Sequence, residues 1–269
     1  MTEPVAAGKT AGGPGRPAGP GQEGVVGVAR SQRGPVGFWI RLCWLVIWPL
    51  IQVLFKPRWR NKERVPASGG VILVVNHVSY ADPLVFARFV WDAGRVPRFL
   101  IKDGLFRLFF VGRVLRGAKQ IPVSRGSVDA ERSLQNAVSW LDRGECVCIY
   151  PEGTVTRDPD FWPMVGRTGV ARLALGTDVP VVPVAQWGPQ QAVDVYHKRY
   201  RLFPRKEAWC VAGEPVDLSA YRGRPITAEL LRQVTDLIMG AVRDELAQVR
   251  GEPAPTAFYR RPPAAREAS

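Results

Sequence analysis

Val71-Ile72-Leu73-Val74-Val75 runs for five residues without a polar side chain on either alternating face. Strand side chains point alternately to opposite faces, so a strand of this kind is stable only when both faces are covered. Similar short apolar runs follow at Ile121–Val123, Val147–Tyr150, Val181–Val184 and Trp209–Ala212. Between them the period lengthens to that of helices, near Pro83–Trp91, Ser127–Leu141, Arg167–Leu175 and Thr227–Leu246. The last carries a stripe at Leu230, Leu231, Val234, Leu237, Ile238, Ala241 and Val242. Apolar strands alternating with helices predict an α/β domain: a mostly parallel central sheet flanked by helices. Ligands of such sheets gather beyond the carboxyl ends of the strands.

Charge narrows the partners. The 269 residues carry a formal net charge of +13, and the excess is clustered. Lys56 to Arg64 holds five cations against one anion, and Arg95 to Arg125 holds eight against Asp103 alone. Such clusters attract nucleic acid, anionic lipid or a phosphorylated substrate. Cys43, Cys146, Cys148 and Cys210 form no Cys-x-x-Cys pair and the chain has two histidines, so no metal site is expected. Free, buried thiols in a reducing compartment are the simpler reading.

Residues 1–36 and 250–269 are rich in Gly and Pro or Pro alone, carry no hydrophobic period, and read as disordered tails. No signal-peptide pattern opens the chain. Between Phe38 and Phe55 the apolar stretch contains three tryptophans, Pro49 and Gln52, and the first basic cluster follows it. A spanning helix needs about 20 apolar residues. The uninterrupted part is shorter, so residues 37–60 are expected to form a helical segment lying in the membrane interface. Gly104 to Arg116 mixes bulky apolar residues with arginines in the same way.

Three segments carry chemistry. Asn76-His77-Val78-Ser79-Tyr80-Ala81-Asp82-Pro83 follows the first strand directly. Asp82-Pro83 is a helix start, with Asp82 as expected N-cap and Pro at the first helical position. His77 then lies in the strand-to-helix turn. On a continuous helix a spacing of five would set the two side chains about 140° apart; a turn lets Asp82 fold back onto the imidazole. Asp82 can fix the ring's tautomer while the other nitrogen faces a substrate. No Gly-x-Ser-x-Gly elbow occurs, so the hydroxyl that such a base would activate belongs to the substrate. The second segment, Tyr150-Pro151-Glu152-Gly153-Thr154-Val155-Thr156-Arg157, leaves another apolar strand on the same edge. Gly153 permits a tight turn, while Glu152 and Thr154 supply hydrogen-bonding groups. The third, Ile121-Pro122-Val123-Ser124-Arg125, puts an arginine beyond a short strand, and arginine holds phosphate in a bidentate way. Lys102 adds positive charge nearby. His197 shows no partner pattern and reads as a surface residue.

In order, these segments and Val179-Pro180-Val181-Val182-Pro183-Val184 resemble the blocks of the lysophosphatidic acid acyltransferase family, over about residues 60 to 220. The resemblance implies an acyltransferase domain at 61–249. It would move a fatty acyl group from acyl-CoA or an acyl-carrier-protein thioester to the free hydroxyl of 1-acylglycerol-3-phosphate. It assigns His77 as general base and Asp82 as its orienting partner, Arg125 to the acceptor's phosphate, and Glu152, Gly153 and Thr154 to the acceptor site. No cofactor is implied beyond the acyl-thioester co-substrate. The implied partners are a phosphorylated lysolipid and an anionic membrane surface, with no nucleic acid expected, at the cytoplasmic face as a peripheral or monotopic protein. Many members of the family carry Arg directly after Glu-Gly-Thr, where this chain has Val155. Either Arg157 replaces it or the acceptor is another lipid or glycolipid. A non-enzymatic basic binding protein would leave the ordered blocks unexplained.

Overall fold

A computed structural model describes Met1 and residues 36–123, 127–194 and 196–260, with 127–131 described by backbone alone. The tail expected at 1–36 falls almost wholly outside the described residues, as do Arg125 and residues 261–269.

The chain begins with α1 (Phe38–Leu54), then β1 (Phe55–Arg60), β2 (Val71–Val75), α2 (Asp82–Asp92) and β3 (Pro97–Lys102). Next come α3 (Phe109–Gly117), β4 (Ile121–Val123), α4 (Ser127–Asp142), β5 (Cys146–Ile149), α5 (Gly169–Leu175) and β6 (Val181–Trp187). A short excursion follows: α6 (Pro189–Ala192), β7 (Val193–Asp194) and β8 (Arg199–Tyr200). The chain then returns through β9 (Lys206–Ala212) and ends in α7 (Ala228–Arg250). The main sheet has the order β1-β9-β6-β2-β5-β3-β4 and is parallel except at the β6–β9 pair. The two apolar strands β2 and β5 lie in its middle, as their composition requires.

Alternate residues of β2 enter opposite cores. Val71, Leu73 and Val75 pack with Phe86 and Phe89 of α2 and with Ile51 of α1. Ile72 and Val74 pack with Ala137 and Leu141 of α4, Leu173 of α5 and Val234 and Ile238 of α7. Burying a side chain of this size contributes about 1.5–3 kcal/mol, which holds β2 rigid at the end where the polar turn begins.

Two expected boundaries change. The helix expected through 37–60 ends at Leu54, and residues 55–60 are a strand. Phe55, Pro57 and Trp59 turn inward while Lys56, Arg58 and Arg60 are exposed, a period of two that suits β9 as a parallel neighbour. At the other end, residues 251–260 are not a free tail. Gly251 closes α7 with φ +67°, after which the chain returns along the domain. There the Val165 N–H donates to Tyr259 (3.1 Å), and Arg243 lies over the Phe258 ring at 5.1 Å. The prolines that suggested disorder also lower the entropy lost on ordering.

α1 packs through Trp44, stacked on Trp91 at 4.6 Å, and through Trp39, whose ring lies where a Cβ on Gly117 would clash. Its other side exposes Leu45, Val46, Trp48, Leu50 and Val53. Among the described residues no helix is long and apolar enough to cross a membrane. The cationic clusters are smaller than the sequence suggests. Arg95 donates to the carbonyls of Pro66, Gly69 and Gly144, Arg98 binds Glu145 and the Ala118 carbonyl, and Arg58 and Arg64 pair with Glu207 and Glu214. The four cysteines are free thiols, three of them buried and Cys43 half-buried.

Candidate active site

β2, β5, β3 and β4 run parallel and release their loops on one edge. Asn76, the first residue past β2, is fully buried and braces that edge. Its Nδ2 donates to the Gln186 carbonyl (3.0 Å) and its Oδ1 accepts the Gln186 N–H (2.7 Å). Buried, paired hydrogen bonds cost about 1–3 kcal/mol to orphan, so the first residue of the motif acts as a strut between β2 and β6.

His77 and Asp82 meet as the spacing predicts. The His77 Nδ1 lies 2.9 Å from Asp82 Oδ2, and that oxygen also accepts the backbone N–H groups of Val78 (2.6 Å) and Ser79 (2.8 Å). Beside an ionised Asp82, which only accepts, Nδ1 is the donor, and in the neutral imidazole the opposite nitrogen, Nε2, then presents a lone pair. The pair is nearly enclosed: the imidazole is 13% exposed and the carboxylate not at all. Burial pushes the Asp82 carboxyl above its ordinary range, against the pull of the His77 ring and the two amides. Asp82 is not the N-cap. Ala81 holds that position, Asp82 opens the helix, and its carboxylate turns back to the His77 loop instead of capping α2. Gln186 Nε2 donates to the Asp82 carbonyl, and Ser79 Oγ donates to Val193 of β7, tying this turn to β6 and the β7–β8 hairpin.

Glu152 sits beneath this turn. Its Oε1 accepts the His77 N–H at 2.8 Å and its Oε2 accepts the Met164 N–H at 2.9 Å, while Thr156 N–H donates to the His77 carbonyl at 2.7 Å. Both oxygens of Glu152 are thus directed at main chain, and it positions His77 instead of reaching an acceptor. Burial pushes its carboxyl up to about 8, the two amide donors opposing. The sign follows directly. The folded protein holds this proton to a higher pH than the unfolded chain, so between about pH 4.5 and 8 the folded state binds more protons and stability falls as pH rises. The slope is at most about 1.4 kcal/mol per pH unit. Urea unfolding of the wild type should show this decline, and Glu152→Gln should flatten it. Parallel curves for the two proteins would refute the assignment.

Tyr150, which motif reading passed over, is half-buried. Its ring centroid lies 4.5 Å from that of His77 and it stacks on Phe99 at 6.3 Å. It also walls a cavity of about 310 Å³, lined among others by Leu100, Lys102, Ile149, Gly153 and Arg167 but not by His77 or Asp82. Two of the expected acceptor-site residues, Lys102 and Gly153, therefore line one cavity. Thr154 is half-buried on the adjoining turn. Arg157 is exposed, its guanidinium 5.4 Å above the Tyr196 ring, and does not line the cavity. Arg167 does, and nothing in its sequence context marks it, because it stands 14 residues beyond Gly153 with no motif between. His197, between β7 and β8, has a partner after all, Asp194 at 2.8 Å, but is 62% exposed.

The arrangement can remove a proton. A fixed tautomer with a free lone pair on Nε2, next to a cavity with cations on its wall, suits activation of a hydroxyl on an anionic substrate.

Residues 56–187 match the model of the family described as Acyltransferase. The chain is 25% identical over 187 residues to a 1-acyl-sn-glycerol-3-phosphate acyltransferase of Bacillus subtilis, covering 68% of this chain and 85% of that protein. It is 31% identical over 125 residues to the protein of the same name from Borreliella burgdorferi, 46% of this chain and 48% of that one. The fold is similar to the crystal structure of the 1-acyl-sn-glycerophosphate (LPA) acyltransferase PlsC from Thermotoga maritima. The TM-score is 0.58 and the identity 22%, over 80% of this chain and 81% of that one.

Proposed function

The chain belongs to the acyltransferase family through residues 56–187, and within it we propose that His77 is the general base for acylating the free hydroxyl of a 1-acylglycerol 3-phosphate. The observation that carries the reading is the His77–Asp82 contact through Nδ1, with no hydrogen bond to Nε2 among the described residues. Nε2 takes the proton of the acceptor hydroxyl as its oxygen attacks the thioester carbonyl carbon, forming the new C–O bond. The tetrahedral intermediate collapses, the C–S bond breaks, and the thiolate leaves with the proton returned from His77. Asp82, charged and hydrogen-bonded to Nδ1, stabilises the imidazolium between these steps. The donor is an acyl-CoA or acyl-carrier-protein thioester, and no metal or redox group takes part. The relatives from Bacillus subtilis and Borreliella burgdorferi, named for 1-acyl-sn-glycerol-3-phosphate, support the choice of acceptor.

The substrate is amphiphilic, and the surface suits a lipid leaflet. Phe109 and Phe110 at the start of α3 are 89% and 71% exposed, beside Leu105 and Leu108 and the exposed Arg107. α1 adds its own exposed apolar side and packs against α3. Apolar side chains with neighbouring arginines bind anionic interfaces. The protein is expected to release thiol from an acyl-CoA only when 1-acylglycerol 3-phosphate is present, and to sediment with anionic vesicles. Replacing Phe109 and Phe110 together by serine should return it to the supernatant. Thiol release indifferent to the acceptor would contradict the reaction, and unchanged sedimentation of the double variant would contradict the docking face.

A further inference from the structure

Resting on a phosphorylated acceptor, we infer that Arg167 supplies a guanidinium to the acceptor's phosphate, together with Lys102, in the cavity walled by Tyr150. The arginine that the family places after Glu-Gly-Thr is Val155 in this chain, and Val155 is 2% exposed. The position after Thr154 thus brings no cation to the Gly153 turn, and the fold brings one from 14 residues further on. A Cβ built on Gly153 would come within 2.8 Å of Arg167 Nε and 3.4 Å of its Cζ, so the guanidinium lies against the bare turn. Gly153 has φ +70°, a conformation that glycine adopts without strain. The same turn fixes the arginine's backbone, because the Arg167 N–H donates to the Pro151 carbonyl at 2.9 Å.

Commitment separates this arginine from its neighbours. Arg95, Arg98 and Arg116 are spent on carbonyls or on Glu145. The side chains of Arg167 and Lys102 have no hydrogen bond or ion pair among the described residues, and both line the cavity. Both are exposed, so solvent can carry an anion to them, and Leu100, Leu134, Ile149 and Val170 line the rest of the cavity. Arg157, two residues past Val155, is stacked on Tyr196 instead. Tyr150 links cavity and dyad: it walls the one, and its ring lies 4.5 Å from that of His77 in the other. β2 and β3 stand two strands apart, about 10 Å. Lysine and arginine side chains can bring a phosphate from there to within a glycerol's reach of His77. Arg167 thus sets specificity for a phosphomonoester acceptor.

The test is steady-state acyl transfer from an acyl-CoA to 1-acylglycerol 3-phosphate, with 1-acylglycerol as the phosphate-free acceptor. Arg167→Gln should raise KM for the phosphorylated acceptor by about 10- to 100-fold, the loss of one charge-assisted contact. Its kcat at saturating acceptor should stay within about threefold, which also shows that the variant is folded. Arg167→Lys should recover part of the loss, because charge remains without the fork. The inference is overturned if Arg167→Gln leaves that KM unchanged, or if Arg157→Gln raises it as much. If the wild type acylates 1-acylglycerol but no phosphorylated lysolipid, the acceptor reading itself fails. That outcome is distinct from a phosphate-dependent wild type whose KM ignores Arg167.

Discussion

His77→Ala is expected to lower acyl transfer by about 10²- to 10⁴-fold, the usual contribution of a positioned base, with the loss in kcat and little change in acceptor KM. The fold should survive. The main chain of His77 makes two of the bonds that hold its loop, the N–H to Glu152 and the carbonyl from Thr156, and alanine keeps both. Only the ring is lost, and it is already at the edge of the site with 13% of its surface in solvent. Circular dichroism and the unfolding midpoint should therefore stay near wild type while thiol release disappears. A variant that still turns over within about tenfold of the wild type would remove His77 from the role of base.

Asp82→Asn should be nearly as damaging, by about 10²- to 10⁴-fold in kcat, for a different reason. A single oxygen, Oδ2, receives the imidazole Nδ1 and the N–H groups of Val78 and Ser79. An amide oxygen can occupy that point and preserve the loop, but it carries no charge to stabilise the imidazolium formed when the base takes its proton. Alanine would be worse for the fold, since two enclosed amides would lose their acceptor at about 1–3 kcal/mol each. Because the two side chains act as a unit, adding Asp82→Asn to His77→Ala should cost little more activity than His77→Ala alone. Losses that multiply in the double variant would mean that Asp82 acts independently of the imidazole.

Much of the sheet could be read from sequence because Val71–Val75 and Cys146–Ile149 have no polar face to expose, and that alone places them in the interior. The turn after β2 was also readable, since Asp82-Pro83 starts a helix and leaves His77 nowhere else to lie. What stayed hidden depends on partners far away in the chain. β1 becomes a strand only because β9, about 150 residues later, offers it an edge. β3 holds an arginine and a lysine among its apolar residues, and its buried Arg98 is tolerated through Glu145 and the Ala118 carbonyl. Asp82 looked like a cap because local spacing cannot reveal that three closer donors compete for the same oxygen. Glu152 looked like a ligand for substrate, whereas burial directs both its oxygens to main chain. Arg167 is the sharpest case. Its place is set by a bare glycine turn and a folded-back loop, neither of which has a periodicity to read.

The central claim, a histidine-driven acyl transfer onto a phosphorylated lysolipid, is tested most directly by identifying the product. Purified protein given an acyl-CoA and 1-acylglycerol 3-phosphate of a different chain length should form, by mass spectrometry, a phosphatidic acid carrying both chains, and His77→Ala should form none. Free fatty acid with no two-chain product, or the same product yield from His77→Ala, would contradict it.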